Sequence, residues 1–176
     1  GSSLDGHFIA LFNGSNDTAY DTIDLTGQTT DENGFFVIGS ANVENVDLVA
    51  FTTNGVQNGA DAVGLYAGTP GDLVDNLATT TNLIDAIAYD TNDSDDTGLL
   101  DSLGLSEQFN EDANGLKDTQ SNSRNPDGSG DFVAQAPTPG ATNEVILPPE
   151  LVFVHDIQGV TSFNGFENFA TVGVDD

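Results

Sequence analysis

The chain lacks cysteine, methionine and tryptophan, and it carries very little positive charge. Without cysteine it forms no disulfide bond and offers neither a thiol nucleophile nor a thiolate ligand for zinc. Two Lys or Arg residues stand against 29 Asp or Glu residues, which gives a formal net charge of −27 at pH 7. Binding to nucleic acid depends on basic groups that displace counterions from phosphates. We therefore expect no nucleic-acid partner and no anionic membrane partner for this fragment.

Long hydrophobic runs and histidines are also scarce. No stretch approaches the roughly 18 apolar residues that indicate a membrane-spanning helix. The two histidines, His7 and His155, lie in separate strand-like segments without a companion motif. A metal-dependent phosphodiesterase gathers several histidines and carboxylates around its metal ions. We expect both imidazoles to be structural, and we expect no enzymatic activity from this fragment.

The apolar residues that are present occur in short runs, rich in β-branched and aromatic side chains, with Gly, Asn and Asp between them. This punctuation is typical of an all-β domain, and many short strands favour an antiparallel β-sandwich over a parallel α/β sheet. The predicted strands are His7–Phe12, Ala19–Leu25, Gly34–Gly39, Val46–Phe51, Ala62–Ala67 and Leu83–Tyr89, with a short closing strand at Phe132–Val133.

One segment allows either a short helix or a structured loop, namely Leu99–Phe109. Further along, Pro148–Pro149 has the character of an interdomain linker. We therefore predict a β-sandwich domain over residues 1–144. Residues 145–176 are predicted to be a linker followed by the strand-like start of another unit, beginning with Leu151–Ile157.

Three segments together resemble bacterial lamin-tail-like domains: Ala10–Gly27, Thr52–Gly68 and Gly130–Asn143. The first is similar to the family hairpin "L-x-L-Y-N-G … Y-x-T-I-D-L-S-G", the second to "N-G-x-Q-N-G … D-x-x-x-L", and the third to "D-F-x-x-x-x-P-T-P-G-x-x-N". The resemblance covers roughly Leu4 to Asn143. It implies an immunoglobulin-like antiparallel β-sandwich of the lamin-tail type.

The resemblance also implies a role. In bacteria such domains accompany secreted or surface-attached nucleases, phosphatases and other hydrolases as noncatalytic modules. The expected function is therefore an accessory one, spacing, positioning or surface association, in a secreted, extracellular or cell-surface protein. Its partners would be the downstream domains of the same polypeptide. The segment "VFVHDIQGV" after Pro149 is similar to the "H-x-I-Q-G" opening that follows this module in large secreted endonucleases.

The family pattern begins with a strand of the type "I-N-E-I" ahead of the position that matches His7–Phe12. The sequence starts after that point. We expect either that this strand is missing or that Leu151–Ile157 takes its place. An exposed sheet edge readily accepts a strand, so that replacement would come from the same chain or by strand exchange with a neighbouring copy.

Arg124 is one of the two basic residues and precedes the turn-rich run "P-D-G-S-G-D". The resemblance aligns it with a basic position that is common before this loop. Its guanidinium is expected to bond loop carbonyls or a carboxylate and so to hold the closing strand. An anion-binding role is the alternative.

A calcium site is the best candidate for specific chemistry. From Asp93 the sequence D-S-D-D-T-G-L-L-D fits the first nine positions of a calcium loop, with Gly98 at the sixth. The twelfth position is Gly104 instead of the usual Glu, so a solvated acidic loop is the other interpretation. The predicted ligands are Asp93, Asp95, Thr97, the Leu99 carbonyl and Asp101, with Ca²⁺ as the expected cofactor.

A calcium-dependent adhesion or glycan-binding module is the alternative function. It would use exposed tyrosines, Tyr20, Tyr66 or Tyr89, as a stacking platform for sugars. The absence of tryptophan argues against this alternative.

Overall fold

The computed structural model describes residues 1–52 and 55–143, and β-strands make up most of the regular structure there. The single α-helix in this part of the chain, α1, spans Thr97–Leu103. The strands in chain order are β1 (His7–Asn13), β2 (Thr18–Asp24), β3 (Ile38–Ser40), β4 (Leu48–Phe51), β5 (Asp61–Ala67), β6 (Leu83–Asp90), β7 (Gln108–Asn110), β8 (Ser121–Asn125) and β9 (Asp131–Gln135). An all-β fold is thus confirmed at the level of class.

A central sheet of five strands has the order β2-β1-β5-β6-β7. Strands β1, β2, β5 and β6 pair with their neighbours in antiparallel fashion, whereas β7 runs parallel to β6. Two further pairs stand apart from this sheet: β3 with β4, and β8 with β9.

One face of the central sheet carries the hydrophobic core. Along β1, Phe8, Ala10 and Phe12 are buried at alternate positions, as expected for a strand with one face against a core. The ring of Tyr66 in β5 stacks on Phe8 with 5.2 Å between centroids. Gly64 makes room for this packing, since a β-carbon there would lie 2.7 Å from the Tyr66 ring and 3.4 Å from Phe12. From α1, Leu99 and Leu103 close the core.

The opposite face of the sheet is apolar as well. Ile9, Leu11 and Val63 line a cavity of about 240 Å³ together with Ile38 of β3 and Phe51 of β4. Because β3 and β4 contribute to its wall, this pair covers part of the second face.

The predicted strands correspond to β1, β2, β4, β5, β6 and β9, but Gly34–Gly39 becomes strand only from Ile38. The reason is a turn around Asp31, whose N–H donates to the Phe35 carbonyl at 2.8 Å and whose carboxylate accepts the Phe35 N–H at 2.8 Å. The helix alternative for Leu99–Phe109 is confirmed in part. The helix begins earlier, after the N-cap Asp96, and ends at Gly104, where φ is 66°.

The predicted antiparallel arrangement holds only in part, since β3–β4 and β6–β7 are parallel pairs. A parallel pair needs a crossover connection that returns the chain to the same end of the sheet. Between β6 and β7 this connection is residues 91–107, which include α1. The predicted boundary after residue 144 and the strand Leu151–Ile157 lie outside the described residues.

Candidate functional site

The predicted calcium ligands are split between a loop and a helix. Asp93 and Asp95 are exposed in the loop that leads into α1, whereas Thr97, Leu99 and Asp101 belong to α1 itself. The Leu99 side chain is completely buried in the core. Gly98 lies in the first turn of the helix, where a calcium loop would place a sharp bend.

No group of three or more His, Asp or Glu side chains in the described ranges is arranged to hold a metal ion. Calcium also binds through main-chain carbonyls and water, so this finding does not test binding by the predicted loop. Ligation by Asp93, Asp95, Thr97, Leu99 and Asp101 stays a prediction.

A different group of acids meets where β1 ends and β5 begins. A cavity of about 400 Å³ opens there, which we call the Gly14 cavity. Three carboxylates belong to its wall, those of Asp61, Asp93 and Asp96, and no Lys, Arg or His does. The full lining is Asn13, Gly14, Ser15, Gln57, Gly59, Ala60, Asp61, Asp93, Ser94 and Asp96.

Asp61 is the most buried acid in this wall, with 3% of its surface exposed. Its Oδ1 accepts a hydrogen bond from the Gly14 N–H at 3.0 Å. Its Oδ2 is buried and has no hydrogen-bond partner. A β-carbon on Gly59, another lining residue, would lie 3.4 Å from this oxygen. Both oxygens of Asp61 are thus next to residues of the cavity wall.

Asp96 reaches the same point from the start of α1. Its Oδ1 accepts the Leu99 N–H at 2.9 Å and caps the helix. A β-carbon on Gly14 would clash with the carbonyl oxygen of Ala60 and would lie 2.6 Å from Asp96 Oδ2. Gly14 is therefore needed for a close approach, and the oxygens of Ala60 and Asp96 are neighbours across it.

A further acid, Asp17, is not part of the cavity wall but contacts Asp96 from the hairpin between β1 and β2. Burial raises the pKa of Asp17, and the negative charge and a hydrogen bond of Asp96 raise it further. Asp17 Oδ1 is buried without a hydrogen-bond partner. Two ionised carboxylates in contact repel each other, and this repulsion adds to the effect of burial on Asp17.

A buried polar network fixes the loop that carries Asp93 and Asp96. Asp90, at 2% exposure, accepts hydrogen bonds from the backbone of Asn92 and Asp93 and from Gln108 Nε2. Gln108 Oε1 in turn accepts the Asp96 N–H at 2.9 Å. Both carboxylate oxygens of Asp90 therefore accept hydrogen bonds, whereas Asp61 Oδ2 accepts none.

Two tyrosines bind the segment that contains Gln57, a residue of the cavity wall. Tyr89 donates its hydroxyl to the Gln57 carbonyl at 3.1 Å, and Tyr20 donates to the Gly55 carbonyl at 3.2 Å. Burial is the main cause that raises the pKa of both phenols, and the charge of Asp61 adds to it. The two tyrosines therefore position the loop that ends at Ala60.

The three tyrosines of the alternative function differ in their exposure. Tyr66 is 1% exposed and lies in the core, where its hydroxyl donates to the Thr79 carbonyl. The expectation that it is exposed was wrong, because it follows the buried face of β5. Tyr20 and Tyr89 are half-buried and engaged with the loop.

Arg124 in β8 fastens the closing hairpin, as expected. Its Nε donates to Asp85 Oδ2 at 3.0 Å while Nη2 pairs with Oδ1 of the same carboxylate. Nη1 donates to the Gly130 carbonyl at 2.7 Å, and the guanidinium carbon lies 4.2 Å from the ring centre of Phe132. One side chain thus joins β6, the turn after β8 and β9.

The other groups suited to acid–base or anion chemistry are engaged locally. Lys117 Nζ lies 3.6 Å from Asp112. His7 Nδ1 lies within hydrogen-bonding distance of the Leu4 and Asp5 carbonyls. His155 is outside the described residues.

Asp61 and Gly14 were missed from the sequence, although Asp93 was found. A weak signal exists, since Gly14 ends the turn sequence "F-N-G" after one predicted strand and Asp61 ends "Q-N-G-A-D" just before another. Only the pairing of β1 with β5, which sets Asn13 opposite Asp61, makes them neighbours.

No family model, curated protein or solved structure matches the chain. The lamin-tail-like resemblance therefore stays a prediction from the motifs. None of the helices in the described part of the chain is both long and apolar enough to cross a bilayer.

Proposed function

We propose that this region is a noncatalytic accessory module, an immunoglobulin-like β-sandwich of the lamin-tail type. It would belong to a larger secreted or surface-associated bacterial hydrolase and would space or position the domains that follow it. The proposal combines the motif resemblance with the all-β fold and with the way in which the chain uses its few cationic groups.

The observation that carries the proposal is the engagement of Arg124. In a chain with this charge, a lone arginine in a turn-rich segment is the first candidate for an anion clamp. Its donors instead bind Asp85 and the Gly130 carbonyl, and its plane lies against Phe132. The guanidinium therefore serves to join secondary-structure elements, which suits a mechanical module.

The experiment is a turnover assay on the purified chain with nucleic acid, phosphomonoester and phosphodiester substrates, with divalent metal and in its absence. We expect no turnover above the buffer rate. Arg124→Ala is expected to lower the melting temperature without creating or removing any activity. Turnover that disappears in His7→Ala, while the melting temperature stays unchanged, would overturn the proposal.

A further inference from the structure

The Gly14 cavity has an unbalanced charge. Asp61, Asp93 and Asp96 line it, and no basic side chain shares the wall. The two basic residues of the chain are committed elsewhere, Arg124 to Asp85 and Lys117 to Asp112. Among the described residues no basic side chain is left to balance these acids, so we infer that the balancing charge comes from solution.

Asp61 needs such a charge more than the other acids. A buried carboxylate is stable when it is paired, fully hydrogen-bonded or bound to a metal. Asp90 is stabilised by hydrogen bonds, since both of its carboxylate oxygens accept bonds from the protein. Asp61 is buried to nearly the same extent, but its Oδ2 has no partner.

Three oxygen atoms from two segments, residues 60–61 and the start of α1, converge on Gly14. Asp61 Oδ1 bonds its N–H, and the Ala60 carbonyl and Asp96 Oδ2 crowd the position where a β-carbon would stand. Carboxylate and carbonyl oxygens with water are the ligands that calcium prefers, and it accepts six to eight of them in irregular geometry. Magnesium demands a tighter octahedron and keeps more of its water.

We propose that the Gly14 cavity binds one calcium ion through Asp61 and Asp96, with the Ala60 carbonyl as a further ligand and water completing the shell. This set contains two acidic side chains and one main-chain oxygen. It shares no ligand with the set predicted from the sequence, although Asp96 lies within the predicted loop and Asp93 of that loop lines the cavity. The inference does not depend on the accessory role of the module.

The test uses the whole chain, stripped of metal with a chelator, and two readouts at constant ionic strength. Calorimetric titration with CaCl₂ gives the affinity and stoichiometry, and thermal melting gives the shift of the midpoint with calcium. We expect one tight site and a midpoint that rises with calcium concentration, because a ligand that binds the folded state stabilises it. Magnesium at the same concentration should give a smaller shift.

Asp61→Asn is the decisive variant. Asparagine keeps an oxygen that accepts the Gly14 N–H but removes the buried charge. We expect a metal-free melting temperature at or above that of the unmodified chain, together with at least a tenfold loss of calcium affinity. Asp96→Asn is the second variant, since asparagine also caps helices well; it should weaken calcium similarly while the fold is retained.

Asp101→Asn is the matched control, because it makes the same charge change at an exposed position of the predicted loop. Its calcium affinity should equal that of the unmodified chain. Equal losses in Asp61→Asn and Asp101→Asn would indicate general screening of the acidic surface and would overturn the proposal. Loss in Asp101→Asn alone would assign calcium to the predicted loop and would overturn it as well.

Discussion

The closing hairpin of β8 and β9 and the Gly14 cavity both place carboxylates against the central sheet, but only the hairpin brings its own cation. At the hairpin, Asp85 is paired with the guanidinium of Arg124. At the cavity, Asp61 keeps a buried oxygen without a partner, and Asp17 and Asp96 face each other. The carboxylate of Asp85 is thus neutralised by a side chain of the same chain, whereas we propose that the acids of the Gly14 cavity are neutralised by a bound ion.

The difference also shows what several other aspartates in the described residues do. Asp24, Asp31 and Asp72 accept backbone N–H groups of nearby turns, and Asp90 and Asp96 do so in the loop before α1. Such bonds satisfy a carboxylate locally. Many of these acids therefore help to form turns. The Gly14 cavity differs because it contains Asp61, whose Oδ2 is buried without a hydrogen-bond partner.

The largest effect is expected from Leu99→Ala, which tests how α1 brings Asp96 to the cavity. The Leu99 side chain is fully buried in the core, so its truncation should lower the free energy of unfolding by about 2–5 kcal/mol. Urea unfolding in the absence of metal measures the loss. Leu100→Ala, at a partly buried position of the same helix, should lose less. If Leu99 acted only through its carbonyl, as in the predicted calcium loop, its truncation would leave the metal-free stability unchanged.

A smaller loss is expected from Arg124→Ala, at about 2 kcal/mol. The partly exposed ion pair with Asp85 contributes at most about 1 kcal/mol, and the Gly130 bond and the contact with Phe132 add about 1 kcal/mol or less each. Arg124→Lys should recover part of the loss, because lysine keeps the charge but not the planar fork.

Lys117→Ala is the control for Arg124, since it removes the other cation. Its pair with Asp112 is longer, and the Lys117 side chain is 45% exposed. Unfolding by urea should give a loss below about 0.5 kcal/mol. Equal losses in the two variants would mean that net charge, and not the fastening of the hairpin, explains the effect of Arg124.

The smallest effect concerns acid stability at the Asp31 turn. Hydrogen bonds from the backbone of Phe35 and Asn33 hold the pKa of Asp31 below its ordinary value. Its contribution to stability is therefore present above the pKa of the unfolded chain and is lost as the pH falls through the lower folded pKa. Between about pH 3 and 5, melting temperatures of Asp31→Ala should fall less steeply with acid than those of the unmodified chain.

Asp95→Ala gives the comparison for that acid titration. Asp95 is exposed, and its carboxylate makes no hydrogen bond in the described part of the chain. Its replacement removes one negative charge without removing a turn hydrogen bond, so it controls for the change in net charge. If the slope of melting temperature against pH changed equally in both variants, overall charge and not the Asp31 turn would explain the effect.

The fold was predictable where strands carry an apolar pattern. β1, β5 and β6 contain alternating buried side chains and were found from the sequence. β8 was missed because its residues, "S-N-S-R-N", include no apolar side chain, and β7 is only three residues long. The parallel pairing of β6 with β7 depends on the path of residues 91–107, which no local pattern specifies.

The site was predictable only in part, for a similar reason. Spacing along the chain identified Asp93, because consecutive acids in one loop can be compared with a known ligand pattern. Asp61 lies 47 residues from the amide that it binds, that of Gly14. Contacts at that separation come from strand pairing, and the orphaned oxygen is visible only once burial is known.

Amide hydrogen exchange with and without calcium tests the contrast between the two regions most directly. We predict that calcium slows exchange in residues 13–17, 57–61 and 93–99, which surround the Gly14 cavity, and leaves residues 121–135 of the closing hairpin unchanged. Asp61→Asn should abolish the difference. Equal slowing in both regions, or slowing confined to residues outside the cavity, would contradict the claim that one region carries its own cation and the other takes one from solution.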